Sequence, residues 1–212
     1  MLETHNLALF VLSCILLNLT PGQDTLFIVG RSAAQGSRAG LISAFGIMTG
    51  VLVHTLLAAF GLSAVLAASS LAFGIVKFAG AGYLIWLGVG FLRSGNLSHA
   101  PVAPPANRSV PSWTLYRQGI LTNLLNPKVS LFFLSFLPQF VNPGAERIVL
   151  SFVFLGLIFF TTGTLWCVIL AYGSAWLTER FRQKTIAGGV LKKATGALFV
   201  GLGLKLAFSH VD

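Results

Sequence analysis

Long apolar stretches dominate this chain, and its charged residues are collected between them. A helix needs about 20 mostly apolar residues to cross a bilayer. We therefore predict six membrane-spanning helices, at about 5–30, 39–66, 71–92, 114–141, 147–177 and 188–208. The first stretch has Glu3 but no Lys or Arg before it and no small-residue cleavage site after it, so we interpret it as a retained helix rather than a signal peptide. The predicted fold class is an all-α integral membrane protein.

The composition supports this interpretation and excludes most soluble enzyme classes. Of the 212 residues, 55% are hydrophobic and 9% are charged, and the mean hydropathy is +0.84, whereas about a quarter of the residues in a soluble domain are charged. Five carboxylates, four His and two Cys are too few for a metal cluster or a disulfide framework. The net charge of +9 comes from basic residues between apolar runs, which does not indicate nucleic-acid binding. We expect no catalytic activity, no cofactor, no metal and no nucleic-acid partner.

The basic residues also predict an orientation in the membrane. Ten of the 14 Lys and Arg residues lie in or beside the connections after the first, third and fifth predicted spans: Arg31, Arg38, Arg93, Arg108, Arg117, Arg180, Arg182, Lys184, Lys192 and Lys193. Cytoplasmic loops carry an excess of Lys and Arg, so we predict these three connections to be cytoplasmic and both termini to lie on the opposite side.

A linker rich in proline and polar residues, at about 94–112, divides the chain into halves of three spans each. We predict a single transmembrane domain over 1–212, with one repeat at about 1–93 and a second at about 113–212. Because three is an odd number, the two halves cross the membrane in opposite orientations, and any likeness between them indicates an inverted repeat. Leu19-Thr20-Pro21 and Leu125-Asn126-Pro127 are one such likeness, at matching positions in the two halves.

Two prolines, Pro21 and Pro127, lie inside the first and fourth predicted spans. Proline removes a backbone donor, and paired interruptions in corresponding halves indicate a transporter's binding site. The segment Thr20-Pro21-Gly22-Gln23 is typical of a helix start, with Thr20 as the N-cap, proline at the first helical position and Gln23 closing a capping box. Asn126 before Pro127 is the same kind of start, with Asn as the cap. We predict two half-helices in each span, with free N–H groups facing each other. The alternative is a pair of ordinary proline kinks.

Two opposite charges accompany these breaks, Asp24 and Lys128. An unpaired charge inside a span costs at least about 2.5 kcal/mol, so such residues pair or mark a pathway. One interpretation is a static ion pair between the two. The other is a site for a zwitterion, whose ammonium would bind Asp24 and whose carboxylate would bind Lys128 and the helix N-termini, as for an α-amino acid. The predicted substrate-binding residues are Thr20, Gly22, Asp24, Asn126, Lys128 and Ser130.

His54 lies in the middle of the second predicted span, after Gly46 and Gly50. Glycines at this spacing allow close helix packing. A histidine in the membrane can relay protons, or it can be a hydrogen-bonded packing residue, and both interpretations stay open. Asp24 and His54 are our candidates for proton coupling. Cys14 and Cys167 lie in apolar spans, and we interpret them as small hydrophobic residues.

Several segments resemble the lysine exporter family, and most closely its homoserine and threonine resistance branch. They are Leu17-Asn18-Leu19-Thr20-Pro21-Gly22-Gln23-Asp24, Asn123-Leu124-Leu125-Asn126-Pro127-Lys128 and Phe136-Leu137-Pro138-Gln139-Phe140. The resemblance covers nearly the whole chain, with one departure, since the family often has proline where this chain has Gln23. It implies a bacterial inner-membrane secondary exporter of amino acids or close derivatives, driven by the proton motive force and without a prosthetic group.

The leading functional prediction is therefore export of amino acids such as threonine, homoserine or leucine-like compounds, by proton antiport with alternating access. Its partners are the substrate, protons and the lipid bilayer, with a homo-oligomer as an option; the termini would be periplasmic. A cation or metal permease is the alternative, disfavoured because a lone acid beside a lysine repels cations. A membrane thiol electron carrier would need Cys14 and Cys167 within disulfide reach.

Overall fold

The computed structural model describes residues 4–62, 110–142 and 145–180, together with four single helical positions at 78, 82, 85 and 89. The described residues are almost entirely helical, and their β-structure is limited to one isolated bridge between Thr4 and Val141. The predicted all-α fold class is thus confirmed. The predicted span 188–208, nearly all of span 71–92, and the linker up to residue 109 lie outside the described residues, as does about a third of each proposed repeat.

The described helices follow the predicted order. They are α1 (Leu7–Leu19), α2 (Gln23–Gln35), α3 (Ser37–Leu56), α4 (Ser112–Leu124), α5 (Pro127–Leu131) and α6 (Ile148–Arg180). A π-helical turn, Leu57–Leu62, follows α3. After α5 come a second π-helical turn, Phe132–Phe136, and a short 3₁₀ helix, Leu137–Phe140. The change to 3₁₀ geometry coincides with Pro138, which lacks the N–H that a regular helix would use.

Four of the predicted spans fall on these elements. Ser37–Gly61 and Ile148–Leu177 are each long and apolar enough to cross a membrane. Helices α1 and α2 qualify when taken as one span with a 50° bend, and α4 qualifies with Pro127–Phe140 at a 48° bend. The breaks are those predicted at Pro21 and Pro127.

The two breaks are capped differently. Asn126 is the N-cap of α5, where its Oδ1 accepts a hydrogen bond from the Lys128 backbone N–H at 3.1 Å. The predicted capping box at the other break is wrong: Gly22 is the N-cap of α2, with no side-chain cap. Thr20 Oγ1 instead donates to the carbonyl of Leu16 at 2.7 Å, because a threonine at a helix end can bond one turn back along its own helix.

Glycines bring α3 and α4 into direct backbone contact, as predicted for the small residues of α3. A Cβ added to Gly46 would lie 3.0 Å from Cα of Gly119, and a Cβ on Gly119 would lie equally close to Cα of Gly46. One turn further along α3, Gly50 lies against the side chain of Asn123. This close approach lets α4 present Asn123 to the interior of the bundle.

Candidate functional site

A cavity lies where both helix breaks face α3 and α6. Among the described residues, its polar lining consists of Asn18, Asp24, Thr25, Asn123, Lys128 and Trp166, and the rest of its lining is mainly apolar. Its volume is about 30 Å³, which is room for a few water molecules at most, since one water needs about 10–15 Å³. The cavity is therefore contracted in this conformation, and a larger ligand requires the surrounding helices to separate.

Asp24, in the first turn of α2, is held by one hydrogen bond and keeps one oxygen unused. Its Oδ2 accepts from Asn123 Nδ2 at 2.8 Å. Its Oδ1 is buried and, like Asn123 Oδ1, has no hydrogen-bond partner among the described residues. Two oxygen acceptors of the cavity lining are thus unsatisfied, although buried polar groups are nearly always hydrogen-bonded.

Lys128 reaches across from α5 to the end of α1. Its Nζ donates to the backbone carbonyls of Leu17 and Thr20, at 3.0 Å in each case. The ammonium therefore stabilises the negative end of the α1 dipole, and it does not form the direct ion pair with Asp24 that the sequence allowed. An ammonium has three donors, so one remains for a ligand beyond these two carbonyls.

The start of α2 adds further donors. Because no side chain caps α2, the N–H groups of its first turn are not used by a cap. Gly22 also makes room for Lys128, since a Cβ at that position would lie 3.2 Å from Lys128 Nζ. The start of α2 and the Lys128 ammonium thus meet at one place, as two sources of positive potential.

His54 lies behind this cavity rather than in its described lining. Its Nε2 donates to the backbone carbonyl of Asn123 at 3.3 Å, and its ring stacks on Phe133 with 5.7 Å between centroids. His54 is buried. It is connected to Asp24 through Asn123, a geometry that fits both a packing histidine and a proton relay.

Thr20 and Ser130, two other predicted site residues, use their side-chain hydroxyls in hydrogen bonds to nearby backbone carbonyls. The Thr20 side chain bonds to Leu16, and only the Thr20 carbonyl meets Lys128. Ser130 Oγ donates to the Asn126 carbonyl at 3.1 Å, and neither the Thr20 nor the Ser130 side chain belongs to the described cavity lining. We therefore place these two residues next to the cavity and not in its wall.

Comparison with known proteins decides the family. The LysE type translocator family matches residues 15–210. This chain belongs to the LysE type translocator family. This translocator is 36% identical to an uncharacterized membrane protein of Pseudomonas aeruginosa over 93% of both chains. It is 30% identical to a leucine efflux protein of an Enterobacter species, over 95% of this chain and 94% of that protein. No solved structure matches it significantly.

Membership of this family confirms the predicted family and shows that the chain is a membrane transporter. In the described part of this LysE type translocator there is no group of three or more His, Cys, Asp or Glu residues that could hold a metal ion. Cys14 and Cys167 are both buried free thiols. Both lie in the hydrophobic core, and Cys167 also lines the cavity.

Sequence reasoning missed four polar residues of the translocator's cavity: Asn18, Thr25, Asn123 and Trp166. Asn123 was noted only within a motif, yet it holds Asp24 and accepts from His54. Trp166, which the sequence analysis did not single out, lines the cavity, and its buried Nε1–H has no partner in the described residues. A signal for Asn123 existed, because an asparagine inside an apolar span needs a polar partner.

Proposed function

We propose that this LysE type translocator exports neutral α-amino acids or close derivatives across the bacterial inner membrane, in exchange for protons. The proposed substrates are leucine-like compounds, threonine and homoserine. Relatives named leucine efflux proteins, about 30% identical along nearly the whole chain, support this substrate class. The two halves, about 1–93 and 113–212, would be the units that rock about the cavity in an alternating-access cycle.

The observation that carries the proposal is the set of unsatisfied groups around the cavity. Asp24 Oδ1 and Asn123 Oδ1 are acceptors without partners in the described residues, which suits a ligand's ammonium group. Trp166 Nε1–H, the spare donor of Lys128 and the start of α2 suit a carboxylate. A buried polar group without a partner costs about 1–3 kcal/mol, so a zwitterion that satisfies several of them binds favourably.

The charge balance favours neutral amino acids. A neutral zwitterion brings one positive and one negative group, which match Asp24 and Lys128. A basic amino acid would bring a second positive charge next to Lys128, and Asp24 is the one carboxylate in the described lining. That extra charge would be repelled in a site from which water is largely excluded.

Asp24 also gives a physical reason for antiport. Its carboxylate attracts the substrate ammonium only when it is ionised, so a proton and the substrate compete for the same group. Proton binding on one side of the membrane would release the substrate, and proton loss on the other side would restore the site. His54, connected through Asn123, is the second candidate for this proton.

The test is Asp24→Asn, which keeps the shape of the side chain and removes its charge. We expect the purified variant to insert and fold but to lose flux of labelled leucine and threonine in proteoliposomes. Glu146→Gln is the matched control, because Glu146 is exposed outside the described helices and should transport like the wild type. Normal transport by a folded Asp24→Asn protein would refute the role of this carboxylate.

The proposed orientation has its own test. If both termini are periplasmic, a reporter that is active only in the periplasm should be active when it is fused after Asp212. Activity of a reporter that works only in the cytoplasm would contradict this orientation.

A further inference from the structure

A second, apolar cavity lies between α3 and α6. It is lined by residues on one face of α3 and one face of α6: Leu41, Ala44, Phe45, Met48, Thr164, Cys167 and Val168. The one hydroxyl among these seven residues is already used, since Thr164 Oγ1 donates to the carbonyl of Phe160 at 2.7 Å. This cavity therefore offers apolar contacts and suits a hydrocarbon group.

The two cavities share a wall. Met48 and Cys167 belong to the lining of both the polar and the apolar cavity. Both residues are buried, each 6% exposed, and together they form the part of the wall that the two spaces have in common. Methionine is unbranched and has three rotatable bonds, which makes it the residue best able to adapt its shape there.

The surroundings of Met48 leave room for such a movement. Its side chain passes over Gly163, where an added Cβ would lie 3.5 Å from Met48 Cε and 3.6 Å from Sδ. The same added Cβ would lie 3.8 Å from Asn18 Oδ1, which belongs to the polar cavity. The tip of Met48 is thus close to the polar cavity, and a rotation of this side chain would join the two spaces into one elongated site.

We propose that the apolar cavity is the subsite for the side chain of the transported amino acid, with Met48 as its movable wall. This inference rests on the proposed function, because it assumes that the charged end of an amino acid binds in the polar cavity. The apolar subsite selects neutral substrates with a branched aliphatic side chain, such as leucine. Continuity with the polar cavity through Met48 and Cys167 favours a substrate side chain over a lipid acyl chain as the occupant.

The test fills the subsite with Ala44→Leu and compares it with Ala33→Leu, the same change at an exposed position of α2 that lines neither described cavity. Flux of labelled leucine and labelled threonine is measured in the same proteoliposomes, and their ratio is the readout. One methylene in an apolar pocket changes selectivity by about tenfold or more. We expect Ala44→Leu to lower the leucine-to-threonine ratio at least about tenfold and Ala33→Leu to leave it unchanged.

A second variant, Leu41→Ala, enlarges the same cavity and is measured alongside, in case Ala44→Leu does not fold. It should raise flux of larger neutral substrates such as phenylalanine relative to threonine. Equal effects on all substrates in both variants would overturn the subsite and favour lipid in that cavity. Absence of amino-acid flux in the wild type would overturn the proposed function and the subsite with it, whereas wild-type flux with unchanged ratios would overturn the subsite alone.

Discussion

Replacing Gly50 by alanine places a methyl group where Asn123 now lies. A Cβ at Gly50 would be 2.6 Å from Asn123 Oδ1, 2.8 Å from its Cβ and 3.0 Å from its Cγ. These separations are shorter than ordinary van der Waals contacts, and the Asn123 Cβ is attached directly to the α4 backbone. The methyl group can therefore be accommodated only if α4 moves away from α3.

The cost has two parts. Overpacking of a close interface costs about 1–3 kcal/mol, and loss of the 2.8 Å hydrogen bond from Asn123 to Asp24 costs about 1.5–3 kcal/mol, as is usual for a bond to a charged group. Alanine recovers up to about 1 kcal/mol through its higher helix propensity. We expect Gly50→Ala to lower the free energy of unfolding by about 2–4 kcal/mol and to reduce transport, because Asp24 loses its support.

The assay is thermal unfolding of the purified protein in detergent, followed by leucine flux in proteoliposomes. Gly30→Ala is the matched control, since a Cβ at Gly30 of α2 would meet nothing within 4 Å. The control should be as stable as the wild type or slightly more stable. If Gly50→Ala unfolds at the wild-type temperature and transports normally, the packing of Asn123 does not support the site as we describe it.

Three further substitutions test single groups of the site. Lys128→Met removes the hydrogen bonds to the carbonyls of Leu17 and Thr20, so it should lower the free energy of unfolding by about 2 kcal/mol and abolish flux. An unchanged unfolding temperature would exclude a stabilising role for this lysine. Asn126→Ala should lower stability by about 1 kcal/mol through loss of the N-cap, and Asn126→Ser should recover most of it; equal stability of the two variants would argue against the cap. Trp166→Phe keeps an aromatic ring and removes an N–H that has no partner among the described residues. It should leave the unfolding temperature unchanged and reduce flux about tenfold. Wild-type flux in this variant would exclude Trp166 from substrate binding.

The broken helices could be predicted because their cause is local. A proline inside an apolar span removes a backbone donor wherever the span packs, and both breaks occur at the predicted residues. The cap at Asn126 was also local and was predicted. The cap predicted at Thr20 was wrong, because its hydroxyl could bond either forward to α2 or back to α1, and the Leu16 carbonyl one turn back accepts it.

The partners of the charged residues could not be predicted, because they depend on how distant segments pack. Asp24 and Lys128 suggested an ion pair, since each is a charge in an apolar span. In the structure Asp24 bonds to Asn123, 99 positions away in the chain, and Lys128 bonds to carbonyls 108 and 111 positions away. The glycines of α3 predicted close packing, but no local pattern indicated that the helix packed against them would be α4.

Simultaneous measurement of leucine efflux and lumen pH tests the central claim, exchange of a neutral amino acid for protons, most directly. Sealed proteoliposomes containing the purified protein would be loaded with labelled leucine and a pH-sensitive dye, then diluted into leucine-free buffer of the same pH. We expect saturable leucine efflux accompanied by acidification of the lumen, and neither signal with Asp24→Asn. Leucine efflux without a change in lumen pH would contradict proton antiport, and absence of flux for leucine, threonine and homoserine alike would contradict the exporter.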